Sequence, residues 1–248
     1  MSTTRGNSRL SYRSEGKGPL VIMLHGLLMD GQCWVDNGFV SAFSPFFRVV
    51  CPDLIGHGDS DRVDRQDFYT RENQVLTIVK LMDELGYDKA HVMGYSAGAW
   101  LAMGLLDSYP ERLTSVVLGG WDCLNGIPET PFGKLSFAMF MDYARETAPE
   151  LTQSLSPADE RSAEYFFNEL SKQFKDDGKL LARSTPKLFW AGANDPYYTS
   201  MSELAQQHAI RFVAGKGDHL GEVNHPDRET ATHILNFVKA RCLSGING

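Results

Sequence analysis

Three side chains far apart in this chain have the types and surroundings needed for acyl transfer: Ser96, Asp195 and His219. Ser96 is the centre of Gly94-Tyr95-Ser96-Ala97-Gly98, which follows the apolar run AHVMGY and precedes the helical pattern AGAWLAMGLLDSYP. A G-x-S-x-G pattern between a buried strand and a helix makes a sharp turn that lifts the serine hydroxyl above the sheet edge, with glycines where side chains would collide. Gly and Ser are also common in ordinary βα loops, so the pattern has weight only in that context.

A serine hydroxyl is a weak nucleophile near neutral pH and needs a base within hydrogen-bond reach, itself oriented by a third group. Asp195 follows the run KLFWAG in GAND, and His219 follows IRFVAG in GKGDH. Both fall just past the carboxyl ends of predicted strands, where open α/β sheets place their sites. The order Ser, Asp, His is also the one that accompanies this turn. His219 would take the Ser96 proton and return it to the leaving group, while Asp195 would fix the imidazole tautomer and stabilise the imidazolium. Asp122, after TSVVLGG, is a competing acid, and Asp195 could instead be a plain turn residue before Pro196. His225 is the rival histidine, although it directly precedes Pro226 and reads as the lead-in to the last helix.

The oxyanion formed on attack needs donors. In LHGLL, a strand end is followed by His25-Gly26, so the backbone N–H of Leu27 would point to the same place as that of Ala97, the residue after the nucleophile. His25 reads as scaffolding that bonds the loop backbone.

Six elements must hold these groups. PLVIMLHG, FRVVCPD, AHVMGY, LTSVVLGG, PKLFWAG and AIRFVAG are apolar runs with the pattern of strands buried on both faces, which predicts a mainly parallel central sheet. Helical patterns lie between them. NQVLTIVKLMDELG places Val75, Leu76, Ile78, Val79, Met82 and Leu85 at helical spacing, with Gly86 at the C-terminal cap position. HPDRETATHILNFVKARC puts Pro226 at the first helical position and buries Ile234, Leu235 and Val238. The fold class is therefore α/β, doubly wound. The alternation breaks over 123–184, where two helices are predicted, one around GKLSFAMFMDYARE and one opening on a Ser156–Asp159 capping pattern. That segment is read as a helical lid inserted in a single core made of 1–122 and 185–248.

Bulk properties narrow the function classes. The 248 residues carry 42% hydrophobic and 22% charged side chains, which is ordinary for a globular chain. A formal charge of -7 without a basic cluster disfavours nucleic acid and anionic membrane surfaces as partners. The N-terminal stretch has no apolar signal region and no later run has membrane-spanning length, so a cytoplasmic location is expected. The four cysteines, Cys33, Cys51, Cys123 and Cys242, form no CxxC pair, and read as reduced thiols. GHGDS and GKGD lack the remaining residues of dinucleotide or phosphate loops, and no HExxH occurs, so no cofactor and no metal is expected.

With these residues in place, the sequence resembles the α/β-hydrolase fold superfamily, of the type with a helical lid. DLIGHGDS (Asp53 to Ser60) is similar to its D-x-x-G-x-G-x-S loop, YPERLTSVVLGG to its helix-to-strand connection, and GDHLGEVNHP to the segment around its catalytic histidine. Ala99 stands where the family usually has a further glycine, and the strand before PLVIMLHG looks short. The resemblance implies a serine hydrolase acting on a small-molecule substrate, here a small to medium, mainly apolar ester or lactone. The same triad in that family also serves C–C bond hydrolysis, lyase, cofactor-free oxygenase and perhydrolase chemistry, or slow-turnover ligand sensing. Phe132, Phe137, Met139, Phe140, Met141 and Tyr143 give the first lid helix more apolar surface than one buried face needs; with Trp34, Trp100 and Trp121 they are the pocket candidates, Trp121, Phe137 and Phe140 foremost.

Overall fold

A computed structural model describes residues 3–5, 8–127, 129–130, 133–172 and 177–243. A short antiparallel pair, β1 (Thr3–Arg5) and β2 (Ser8–Leu10), precedes the main sheet. That sheet contains β3 (Tyr12–Glu15), β4 (Leu20–Leu24), β5 (Arg48–Pro52), β6 (Ala90–Tyr95), β7 (Leu113–Gly119), β10 (Lys187–Gly192) and β11 (Arg211–Gly215). Its spatial order is β11-β10-β7-β6-β4-β5-β3, and every pairing is parallel except β3 with β5. The six apolar runs thus become the six parallel strands, and the short strand before them is the antiparallel edge.

Strands with apolar residues at successive positions serve two cores at once, because side chains alternate across the sheet. Leu20, Ile22 and Leu24 of β4 join one core, with α3 (Arg71–Glu84), α4 (Ala97–Ser108) and α9 (Tyr198–Gln207). Val21 and Met23 join the other, with α1 (Cys33–Asp36), α2 (Phe39–Phe43), α10 (His219–Asn224) and α11 (Arg228–Leu243). Helix α3 stops as the sequence indicates: Gly86 takes φ 77° and the Tyr87 N–H bonds back to Met82 O at 3.0 Å.

Between β7 and β10 the described residues form α5 (Phe137–Thr147), α6 (Pro149–Thr152), α7 (Pro157–Leu170) and α8 (Asp177–Leu181), plus a small pair, β8 (Glu129–Thr130) with β9 (Gly133–Lys134). The capping box at Ser156 is formed, with Asp159 accepting from the Ser156 N–H and Ser156 from the Asp159 N–H. Helices α6 and α8 are too short to leave a periodic signal, which is why two helices were expected rather than four.

Two other expectations need correction. The run that becomes β11 is not buried on both faces: Arg211 and Ala214 are exposed, because this strand is the sheet edge with a neighbour on one side only. The last helix begins at Arg228 rather than Pro226, and Leu235 is only partly buried, whereas Ile234, Phe237 and Val238 fill the core.

Candidate active site

The turn after β6 holds Ser96 at φ 53° and ψ −118°, a sparsely populated conformation that costs about 1–3 kcal/mol and persists only where the surroundings impose it. Two glycines make it possible. A Cβ on Gly94 would lie 2.2 Å from Gly98 O, and one on Gly98 would lie 2.1 Å from Leu24 O. The Ser96 N–H bonds Gly119 O at 2.8 Å, fixing the turn to the end of β7. Ala97 is the first residue of α4, so its N–H has no acceptor within the helix.

Asp195 and His219 meet as a pair. His219 Nδ1 lies 2.8 Å from Asp195 Oδ2, and the Asp195 side chain is wholly buried while that of His219 is 27% exposed. The carboxylate accepts two further supports: Oδ1 takes the Tyr197 N–H at 2.9 Å, and Oδ2 the Tyr95 hydroxyl at 3.0 Å beside the imidazole. Burial pushes this carboxyl up, but the hydrogen bond and charge of His219, with the Tyr197 and Tyr95 donors, outweigh it and hold Asp195 below the usual carboxylate range. A carboxylate at Nδ1 requires a proton there, so in the neutral ring Nε2 is the nitrogen that carries the lone pair. The rivals lie elsewhere. Asp122 caps its own turn, accepting from Leu124 N, Asn125 N and Asn125 Nδ2. His225 lines a neighbouring cleft.

The loop after β4 packs against the Ser96 turn: a Cβ on Gly26 would stand 3.5 Å from Ser96 Cβ. His25 is fully buried and ties this loop down. Its Nε2 accepts the Leu54 N–H at 2.9 Å, so Nδ1 carries the proton and donates to Gly26 O at 2.7 Å. Leu28 has φ 65°, a second strained non-glycine residue beside the site. Asp53 anchors the adjacent loop, accepting from Gly31 N, Asp59 N and Arg13 Nη1.

Ser96 and His219 open onto one cavity of about 100 Å³, whose wall also includes Gly26, Leu27, Met29, Phe140, Ala144, Leu151 and Val223. The two side chains make no hydrogen bond to each other in this structure, and such contacts are commonly long in unliganded sites. Leu28, Met29 and Leu151 also border a larger cleft of about 640 Å³, lined by Asp30, Asp36, His57, Arg62 and Glu150 among others. Of the pocket candidates, Phe140 and Tyr143 are on the cavity wall. Trp121 is not: it is buried against Tyr197. Phe137 turns away to pack on Phe140 and Phe167, Trp34 and Trp100 sit in the two cores, and Phe132 lies outside the described residues. Among the described residues, no group of three or more His, Cys, Asp or Glu side chains is placed to hold a metal ion, and no helix is long and apolar enough to cross a membrane.

The sequence pattern of the alpha/beta hydrolase fold family matches residues 19–218. The chain belongs to the α/β hydrolase fold family. It is 27% identical over 254 residues to 3-oxoadipate enol-lactonase 1 of Acinetobacter baylyi, covering 92% of each chain. It is 31% identical over 153 residues to a 2-hydroxy-6-oxo-6-phenylhexa-2,4-dienoate hydrolase of Burkholderia cepacia, covering 58% of this chain and 52% of that one. With a Bacillus subtilis relative, 33% identical over 111 residues, it spans only 39% of that protein. Among solved structures it is similar to the enol-lactonase of Burkholderia xenovorans LB400, with a TM-score of 0.75 at 20% identity, over 98% of this chain and 100% of that one. A thermophilic esterase of Thermogutta terrifontis gives a TM-score of 0.75 at 22% identity, over 96% of each.

In this α/β hydrolase the fold gives two supporting residues roles that the sequence reading did not assign. Tyr95 fills the variable position of the serine motif, and only the fold shows its hydroxyl reaching Asp195 and His219 O. Glu222 is buried and accepts from Trp190 Nε1 at 2.8 Å and Gly217 N at 2.9 Å, which braces the histidine loop. Its spacing after His219 was visible in GDHLGE, but the partner that gives it meaning is a tryptophan on another strand.

Proposed function

We propose that this α/β hydrolase cleaves a carboxylic ester or lactone with a short, mainly apolar acyl part through an acyl-enzyme on Ser96. The observation that carries the reading is the shared cavity wall: a strained serine and the exposed edge of a carboxylate-held histidine border the same small apolar chamber. His219 Nε2 takes the Ser96 proton as Oγ attacks the carbonyl carbon, the Leu27 and Ala97 N–H groups receive the developing oxyanion, and the protonated histidine returns its proton to the departing alkoxide. Water then repeats the sequence on the acyl-enzyme. The helices of 123–184 act as a lid over the chamber, with Phe140 and Tyr143 as its apolar ceiling. Low-identity relatives named as enol-lactonases support the ester or lactone class.

The experiment is fluorophosphonate labelling with a panel of p-nitrophenyl esters, on wild type and Ser96→Ala. Labelling and turnover in wild type, both lost in the variant, support the reading; labelling that persists in Ser96→Ala overturns it. The dienoate hydrolase relative favours a second reading, cleavage of a C–C bond beside a ketone. Turnover of a vinylogous diketone that survives Ser96→Ala but not His219→Ala would select it.

A further inference from the structure

We propose that Tyr95 is a positioning residue for the Asp195–His219 pair: its hydroxyl ties the carboxylate to the main chain of the histidine and, by sharing Oδ2 with the imidazole, sets how firmly the pair holds a proton. The proposal rests on the hydrolase reading above, and goes beyond the three residues that reading names.

The Tyr95 oxygen lies 3.0 Å from Asp195 Oδ2 and 2.8 Å from His219 O. Both partners are acceptors, so the single hydroxyl proton is shared between them. Burial, with the Asp195 charge next, pushes this hydroxyl well above the usual tyrosine range, so it is a donor throughout the working pH range. Asp195 and His219 come from separate loops after β10 and β11. Tyr95 comes from the nucleophile's own turn, and its hydroxyl is bonded to both of the other loops.

Its place is built into the sheet. The ring lies where Cβ atoms on Gly119 and Gly120 would fall, 2.5 Å from Cδ2 and 2.7 Å from Cζ, so the paired glycines at the end of β7 form its slot. Trp190 packs on the ring at 4.9 Å between centroids and the His219 imidazole at 5.2 Å. Trp190 is itself held by Glu222. A tyrosine needed only to fill space would not require two glycines and a braced tryptophan to aim its hydroxyl at the acid.

Oδ2 is the oxygen that holds the imidazole, and the Tyr95 hydroxyl draws on the same lone pairs and charge. Removing that donor leaves the imidazole as the one side-chain donor on Oδ2 and strengthens its hold on the imidazolium. The other titratable groups beside the pair are Glu222 and Asp218, whose charges reach the Tyr95 hydroxyl, and Tyr197, whose ring packs on the imidazole; Asp122 bears on Tyr197 and serves its own turn. None of these changes when Tyr95 becomes phenylalanine.

The test is Tyr95→Phe, which keeps the ring in its slot, read in two ways. In p-nitrophenyl acetate hydrolysis, kcat falls about 10-fold, KM changes less than about 2-fold, and the acid limb of kcat/KM moves up by roughly half a pH unit or more. In ¹⁵N spectra of the His219 imidazole, assigned with His219→Ala, the titration midpoint moves up in the same direction. A rate loss with an unmoved acid limb and midpoint overturns the proposal and leaves Tyr95 as packing; so does an unchanged kcat. Should wild type show no Ser96-dependent hydrolysis, the hydrolase reading fails, while the imidazole titration still decides the role of Tyr95.

Discussion

Asp195 Oδ2 and the Nδ1 of His219 meet at 2.8 Å across 24 residues of sequence, at the carboxyl ends of two adjacent parallel strands. That contact fixes the imidazole tautomer. It makes the first prediction direct: in Asp195→Asn the amide can present its NH₂ to Nδ1, favouring the wrong tautomer, and kcat for a p-nitrophenyl ester falls by roughly 10³–10⁴ with little change in KM. Asp122→Asn, whose carboxylate serves its own turn, stays within about 2-fold of wild type. Equal losses in the two variants would return Asp122 to contention.

What was legible in the sequence follows from the range of the forces involved. β4, β6 and β10 were readable because every position in them is buried, and β5 and β7 because all but one is, a local property. Ser96, Asp195 and His219 were readable because strand ends in a parallel sheet all point to one edge, so placement follows from order alone. The cavity wall was not. Trp121 and Phe137 are apolar and near the right elements, yet their side chains point into neighbouring rings, and no periodicity encodes which way a residue in a helical insertion turns. Tyr95 escaped for the opposite reason: it stood inside the motif, but its partners are 100 and 124 residues away.

The glycines of the serine turn predict a contrast within one helix. Gly98→Ala drives a Cβ to 2.1 Å from the Leu24 carbonyl oxygen, backbone against backbone, which no side-chain rotation relieves. The expected loss is about 3 kcal/mol or more in urea unfolding, with activity abolished. Gly104→Ala in the same helix meets the Val75 and Arg71 side chains at 2.7–2.8 Å. Those are side-chain atoms of α3, away from the serine turn, so this variant loses stability but keeps its activity once folded. Equal losses of activity in the folded fraction of the two variants would mean that the turn is not the constraint.

Chamber size predicts acyl preference. A cavity of about 100 Å³ walled by Phe140, Ala144 and Leu151 admits acetyl to butyryl groups and excludes long chains. Each methylene that fits is worth about 1–3 kcal/mol and each that does not costs a similar amount. Specificity for p-nitrophenyl esters should peak by four carbons and drop at least 10-fold by eight, and Phe140→Ala should move the peak to longer chains. A wild-type optimum at eight carbons or beyond would show that the acyl group lies in the larger cleft instead.

Three buried histidines predict how the fold responds to acid. Burial pushes His25 down to about 4, with its bond to Gly26 O opposing; burial and the neighbouring His25 push His57 down to about 3; burial alone takes His91 to about 4. In the unfolded chain each titrates near the ordinary value of about 6.5. Below that pH the unfolded chain binds protons that the folded chain refuses, so stability is fully present above about 6.5 and is lost as pH falls towards 4. Each such group contributes about 1.4 kcal/mol per pH unit in that window, for a combined uptake approaching three protons on unfolding. The lowered Asp195 carboxyl adds to the loss only below the ordinary carboxylate range of about 3.9. Urea midpoints measured from pH 7.5 to 4.5 should therefore fall steeply below pH 6.5. In His91→Asn, whose imidazole bonds Ser115 Oγ and Cys242 Sγ away from the site, the slope should lessen by about one proton. A slope that is flat from pH 6.5 to 5, or unaltered in that variant, would mean that these imidazoles find protons in the folded state.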